Sequence, residues 1–418
     1  MTVLRLPADS APTQAAPPVG SYVRDYIARV RGGEMGALPA VLGIVVLCTV
    51  FSILRPVFFT AGNFANLLPQ GAAVTVIAMG LIFVLLLGEI DLSAGYTSGV
   101  CAAVMATVMN NYGWPWYVAV LTAMLTGTII GTTLGFLVAK VGIPSFVVTL
   151  AAFLAFQGTQ LLIIKGGEIV PIRDNVILKI GNSTLSPALG WTLFAVSVLG
   201  YAAVQGFRAT SRHRRGLPSE PLSLILFRIG GLALVSGIGV YVLNQERSRN
   251  PQLVSLRGVP VVVPVIAVLL VLLTFVLKRT GYGLHIYAVG GNIEAARRAG
   301  INTDRIRISA FMICSTMAAI GGIIAGSRAN SVDPNTGGSS VLLFAVGAAV
   351  IGGTSLFGGK GRALDAVLGG AVIAIIDNGM GLMGYASSVK YIVTGTVLLL
   401  AAGVDALSRR RAAAAGLR

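Results

Sequence analysis

In this chain of 418 residues 55% are hydrophobic and only 11% charged, with a mean hydropathy of +0.84, which excludes an ordinary soluble domain, where the charged share is about 25%. The formal charge of +16 does not indicate nucleic-acid binding, because the 31 Lys and Arg lie between apolar runs and form no single basic face. Such scattering orients a chain in a membrane.

The first 22 residues are rich in Ala and Pro and hold no continuous apolar run, so they predict a disordered cytoplasmic tail and no secretory signal; residues 1–36 are assigned to it. A spanning helix needs about 20 apolar residues, fewer where it is broken or buried against neighbours. About twelve segments meet that rule within 37–407: 37–53, 70–87, 94–109, 116–139, 146–164, 190–204, 222–243, 259–277, 308–325, 341–351, 364–382 and 391–406. Residues 408–418 form a basic cytoplasmic tail. The expected fold is therefore all-α, a polytopic membrane protein with both termini cytoplasmic. That orientation puts 21 of the 31 Lys and Arg inside, 9 outside and 1, Arg228, within a helix, the bias an even helix number requires. Arg228 lies near a helix end, where its long stem can snorkel out.

The segments starting at 94 and 341 are too short for a tilted span and adjoin Gly-rich turns. They predict broken helices, tolerated where protein or a water-filled cavity surrounds the freed backbone. Residues 88–95 and 352–359 share Gly, Leu and Gly at equal offsets, a faint sign of duplicated halves.

Charges at membrane depth cost at least about 2.5 to 3.5 kcal/mol on insertion scales, so Glu89 and Asp91 need a reason to be there. Either they line a polar route, or Asp91 or Ser93 caps the next helix while Glu89 pairs with a cytoplasmic Arg. Asp377-Asn378-Gly379 offers the same choice between a pathway and an interhelical hydrogen bond. Thr149, Gln157 and Gln160 in the fifth segment present donors and acceptors, either to a hydroxyl-rich solute or to neighbouring helices. The candidate pathway set is thus Glu89, Asp91, Ser93, Thr149, Gln157, Asp377 and Asn378.

The Gly-rich run 352–361 is not a phosphate loop, because Ser355 stands where its first Gly belongs and Gly361 follows Lys360. His213 and His285 sit in basic loops without metal-ligand partners. Cys48, Cys101 and Cys314 are widely spaced within apolar segments and fit packing, not a metal site or a disulfide framework. With no catalytic pattern present, the chain is not expected to be an enzyme.

One charged island remains, within a loop at 278–307. Asn292 can cap a short helix, Glu294, Ala295 and Ala296 favour its first turn, and Gly300 supplies a left-handed stop. Such a helix can be gripped by another protein, or can rest Arg297 and Arg298 on anionic headgroups. Glu294-Ala295-Ala296, three residues and Gly300 resemble the Glu-Ala-Ala-x-x-x-Gly core of the cytoplasmic loop of ABC importer permeases. Downstream the pattern departs, with Ala310 at the Ile position and no Leu-Pro following. The runs 287–302, 351–359 and 377–379 resemble the ribose and xylose class of ABC sugar permeases, and the likeness covers about 60–407. Glu89-Ile90-Asp91-Leu92-Ser93 is similar to the xylose-type form, whereas ribose-type members have Gly in place of Glu. The extra hydrophobic pair after the basic loop 208–215 is xylose-like as well.

The resemblance implies a permease subunit in the bacterial plasma membrane that imports sugar, D-xylose first, by alternating access. It implies a homodimer in membrane lipid, an ABC ATP-binding subunit that carries the ATP and Mg, and an extracytoplasmic sugar-binding protein. No cofactor is expected on this chain, and Asn292, Glu294, Ala295, Ala296, Arg297 and Gly300 would couple it to the ATPase. Two alternatives stand: a permease of the same class for ribose, galactose or another small solute, and a proton-coupled secondary transporter using Glu89, Asp91 or Asp377.

Overall fold

A computed structural model describes residues 20, 24, 28, 36–216, 220–248 and 250–414. The tail assigned to 1–36 falls almost wholly outside the described residues. Each of the twelve predicted segments coincides with a helix. They are α1 (Leu38–Leu54), α2 (Ala61–Leu86), α3 (Ala94–Tyr112), α4 (Trp116–Phe136) and α5 (Ser145–Ile163). Beyond the short α6 (Asn175–Asn182) come α7 (Pro187–Arg214), α8 (Leu222–Leu243) and α9 (Val262–Arg279). After α10 (Gly281–Gly291) and α11 (Ile293–Arg298) follow α12 (Thr303–Ala329), α13 (Ser339–Ile351), α14 (Ala363–Leu382) and α15 (Ser387–Ala414). The only strands among the described residues are two residues each, Val170–Pro171 antiparallel to Ser331–Val332. Nine helices among the described residues are long and apolar enough to cross a membrane by length and composition, while α1 and α13 are shorter apolar helices. The chain is an all-α, multi-pass membrane protein.

Boundaries moved where capping or tertiary contact overrode the apolar pattern. Helix α2 starts nine residues earlier than predicted, where Thr60 caps it, its hydroxyl accepting from the Asn63 N–H. Helix α12 starts at Thr303 because the Asn302 side chain accepts from the Arg305 N–H at 3.0 Å. Helix α6 was not expected. Asp174 caps it, accepting from Val176 and Ile177. The basic loop at 278–307 is itself largely helical, holding α10, α11 and the first turn of α12. Arg228 pairs with Glu220 at 2.8 Å, just before its helix.

Packing divides core from periphery. In α2 and α14, 72% of the apolar window is buried, and 61% in α12, against 6% in α7, α8 and α15. With apolar side chains on every face, a buried helix must be wrapped by protein and an unburied one by lipid or another subunit. Helix α12 is the central post, packed on α4, α2 and α3.

Of the two segments predicted to be short, α13 is, at 13 residues, whereas α3 runs on to Tyr112 and reaches 19; α3 begins at the buried Ala94, and α13 follows the buried Gly338. The carboxylate of Asp91, just before α3, lies beside the Cys314 thiol, eleven residues or roughly 16 Å along α12. From the opposite end the turn before α13 dips inward. Gln160 of α5 holds it by donating to the Asp333 and Thr336 carbonyls at 2.9 and 3.0 Å. Gly99 is obligatory at this contact, since a Cβ there would overlap the Thr336 carbonyl and the Gln160 amide.

Between α8 and α9 a single carboxylate organises the connection. Glu246 accepts from the Ser248 and Leu256 N–H groups, the Ser255 hydroxyl and the Arg257 guanidinium. These bonds, the Ser248 N–H first, lower its pKa to about 2 from the usual 4.5. A depressed carboxyl stabilises above its unfolded pKa and loses that contribution as pH falls through its folded value. Limited trypsin digestion at Arg247 and Arg257 should therefore be slow at neutral pH. Glu246→Gln should make it several-fold faster there, and a wild-type rate in that variant would show that the carboxylate does not hold the loop.

Candidate functional site

Helix α11 is built from its caps. The chain leaves α10 through Asn292 in extended backbone, and the Asn292 Oδ1 accepts from the Ala295 N–H at 2.9 Å. At the far end Gly300 takes φ +83°, and the Ile301 N–H returns to the Ala296 carbonyl at 3.1 Å. Of the six residues matched to a coupling role, Ala296 is buried and seats the helix, while Asn292, Glu294, Ala295, Arg297 and Gly300 are exposed. Glu294 and Arg297 pair at 3.0 Å with both side chains about 60% exposed. An exposed pair of that kind contributes little to stability, on the order of 0.5 kcal/mol, so the charges remain available to a partner.

The end of α10, from which α11 leads, joins the bundle backbone to backbone. The Leu86 carbonyl, at the end of α2, accepts from the Gly359 N–H at 2.8 Å. Gly290 lies against the same carbonyl, and a Cβ there would overlap it. Around this crossing the Tyr287 hydroxyl donates to the Gly361 carbonyl at 2.6 Å, and Arg362 holds Asp365 through two N–H groups at 3.0 and 2.7 Å. Burial, then the neighbouring Asp365 charge, raises the Tyr287 phenol above its ordinary pKa. The Gly-rich run 352–361, unable to hold phosphate, thus serves as the seat between α2, α10 and α14.

The pathway candidates do not form one site. Four gather at the 87–93 turn. Asp91, fully buried, accepts from the Ser93 N–H at 2.9 Å and the Ser93 hydroxyl at 2.6 Å. Thr149 donates to the Ser145 and Ile90 carbonyls at 2.8 and 3.2 Å. Glu89 is ion-paired with Arg307 of α12, the cytoplasmic-Arg pairing left open by the sequence. Ser93 stands at the N-cap position of α3, yet its hydroxyl turns to Asp91 and caps no backbone N–H. Gln157 stands apart, exposed on α5, and Gln160 three residues on is the buried amide.

Asp377 and Asn378 lie at the other end of the bundle with partners that sequence reasoning missed. Asn378 and Asn63 exchange amide hydrogen bonds at 2.9 and 3.0 Å, and Asn378 also donates to Gln70 at 3.1 Å. Gln70 and Lys390 donate to the two oxygens of Asp377 at 2.5 and 3.0 Å. Gln70, Asp377, Asn378 and Lys390, with Asn66 and Arg328, line a cavity of about 200 Å³. A second cleft of about 280 Å³ lies beside the strand pair, rimmed by Lys165, Glu168 and Arg173. Among the described residues no three His, Cys, Asp or Glu are placed to hold a metal ion.

Close backbone approach at Gly290 gives a direct stability test. Gly290→Ala should destabilise the detergent-solubilised chain by about 1–3 kcal/mol through overpacking. Gly291→Ala, which meets nothing within 4 Å, should change it by less than about 0.5 kcal/mol. Equal melting temperatures for the two variants would show that the crossing is not tight.

A family model described as "Branched-chain amino acid transport system / permease component" matches residues 63–402. The xylose transport system permease protein XylH of Escherichia coli K12 is 37% identical over 357 residues, covering 85% of this chain and 87% of that protein. The Haemophilus influenzae protein of the same name is 33% identical, covering 88% and 96%. The ribose import permease protein RbsC of E. coli K12 is 29% identical, covering 88% and 92%. No solved structure matches.

Proposed function

The chain belongs to the branched-chain amino acid transport system permease component family and is a transport component, from which we propose that it is the membrane subunit of an ATP-driven, binding-protein-dependent sugar importer. D-xylose is the proposed cargo, supported by 37% identity to a xylose permease against 29% to a ribose permease. Ribose, galactose or another small solute is the second reading, and the ribose relative is what favours it. The observation that carries the proposal is α11: a solvent-exposed helix, capped at both ends, that follows directly on the end of α10, where Gly290 lies against the Leu86 carbonyl.

In this mechanism a cytoplasmic ATP-binding subunit holds ATP and Mg and grips Asn292, Glu294, Ala295, Arg297 and Gly300, with Ala296 seating the helix from beneath. Closure of that subunit moves α11, the Gly290 crossing passes the motion to α2 and α14, and the route opens from one side to the other. A sugar-binding protein docks at the outer end, where the cleft rimmed by Lys165, Glu168 and Arg173 offers charges of both signs. The subunit works as a homodimer. Gln157 supports this, since an amide exposed on an apolar spanning helix needs a polar neighbour from outside the chain, either a second copy or a wet route between two copies. Asp377 and Asn378 are the pathway groups of the subunit itself. Glu89, Asp91, Ser93 and Thr149 shape the turn that aims α3. A proton-coupled carrier is disfavoured because Glu89 and Asp377 are held by Arg307 and Lys390, and Asp91 is sealed from solvent.

The test removes the handle. Glu294→Ala with Gly300→Val should reduce ATP-linked xylose uptake in vesicles to background while the chain still inserts and dimerises. Normal uptake together with normal capture of the ATPase would end the assignment.

A further inference from the structure

The cavity at the end of the bundle away from α11 carries an inference that rests on the importer reading and goes further into it. Four helices contribute to it: α2 with Asn66 and Gln70, the last turn of α12 with Arg328, α14 with Asp377 and Asn378, and the first turn of α15 with Lys390. Its charged groups are already engaged, but unequally. Both oxygens of Asp377 are taken, Oδ2 by Gln70 and Oδ1 by Lys390. Arg328, across the cavity, reaches only the Asn66 carbonyl among the described residues, at 3.5 Å. Asn378 is fixed from behind by its reciprocal bonds to Asn63, so the back wall is rigid while the Lys390 side belongs to the barely buried α15.

We propose that this cavity is the admission site for an uncharged sugar with adjacent hydroxyl groups, which enters by taking Asp377 away from Lys390 and Gln70. A carboxylate accepts two hydroxyl donors at once, and each such charge-assisted bond is about twice as strong as a neutral one. Two neighbouring hydroxyls therefore replace one ammonium and one amide donor on the same pair of oxygens. Arg328 then donates to the sugar oxygens left on the far side, and the Asn66 and Asn378 amides supply both donors and acceptors. No aromatic ring lines the cavity, so nothing stacks on a sugar face, and the solute must break an existing ion pair to bind. Both features make binding weak and exchange fast, which suits a gate that receives cargo from a binding protein. Release of Lys390 also frees the first turn of α15 from α14, so admission and opening of this end are one event. A pentose lacking one of two adjacent hydroxyls leaves one Asp377 oxygen with its old partner.

The experiment reads occupancy separately from transport. Leu382 lines the same cavity, and in the assembled importer Leu382→Cys is labelled with a membrane-impermeant maleimide against increasing D-xylose, with the wild-type chain as background. Xylose should protect the thiol, and in the Asp377→Asn background half-protection should need about 10- to 100-fold more sugar, the range for losing hydrogen bonds to an ionised group. Lys390→Gln should move half-protection several-fold the other way, because the competing ammonium is gone. If Leu382→Cys does not insert, Asn66→Cys on the opposite wall gives the same readout. Protection that is unchanged by Asp377→Asn, or absent while wild-type uptake proceeds, overturns the proposal and leaves the importer reading intact. Absence of xylose uptake by the wild-type complex overturns both.

Discussion

The Leu86 carbonyl, receiving the Gly359 N–H while Gly290 lies against it, is the joint on which the molecule depends. Three chain segments meet there without side chains between them. Side-chain contacts can slip by a rotamer, whereas backbone in van der Waals contact around a hydrogen bond moves as one piece. Whatever displaces α11 therefore displaces the ends of α2 and α14. At their opposite ends the same two helices are joined again, by the paired amides of Asn63 and Asn378 and by Gln70 with Asp377. A clamp at each end makes α2 and α14 a single lever, with α12 packed along it.

The lever explains why the polar residues divide into two groups. At the α11 end, Glu89, Asp91, Ser93 and Thr149 close a turn that must be buried so that α3 can begin inside the bundle. Asp91 takes both donors of Ser93, Thr149 turns back on the Ser145 and Ile90 carbonyls, and Glu89 is held by Arg307 of α12. At the other end the polar groups belong to different helices and surround open space. Bonds buried around a turn fix a shape, while bonds that face a cavity can be exchanged. The first group surrounds a turn that buries Asp91 and Ser93, and the second faces open space.

What could be foreseen in the sequence follows from the range of the forces involved. The helices were legible because apolar runs set by hydrocarbon thickness mark most of them, and nine among the described residues are long and apolar enough to cross a membrane. The caps of α11 were legible because Asn292 and Gly300 act within a few residues. Partners distant in sequence were not. Nothing local pairs Asn63 with Asn378, 315 residues away, and Asn63 lies before the predicted start of its segment at residue 70. Glu89 called for a basic partner, but only the approach of α12 to the 87–93 turn selects Arg307. Gln157 and Gln160 lie on one apolar helix with no strong amphipathic direction, so nothing in the pattern told which amide faces inward.

The arrangement of charge also bears on where energy enters. A carboxylate that relays protons across a membrane must meet water on each side in turn and must be free to lose its partner. Asp91 meets no solvent, and Glu89 is fastened to Arg307 beside the joint, where movement would also break the seat of α3. Asp377 alone lies on open space, but at one end only, and Lys390 keeps its charge compensated. No chain of such groups connects the two ends among the described residues. Under the proposed importer reading, work reaches this subunit mechanically, and α11, exposed, doubly capped and following directly on the Gly290 crossing, is the element placed to receive it.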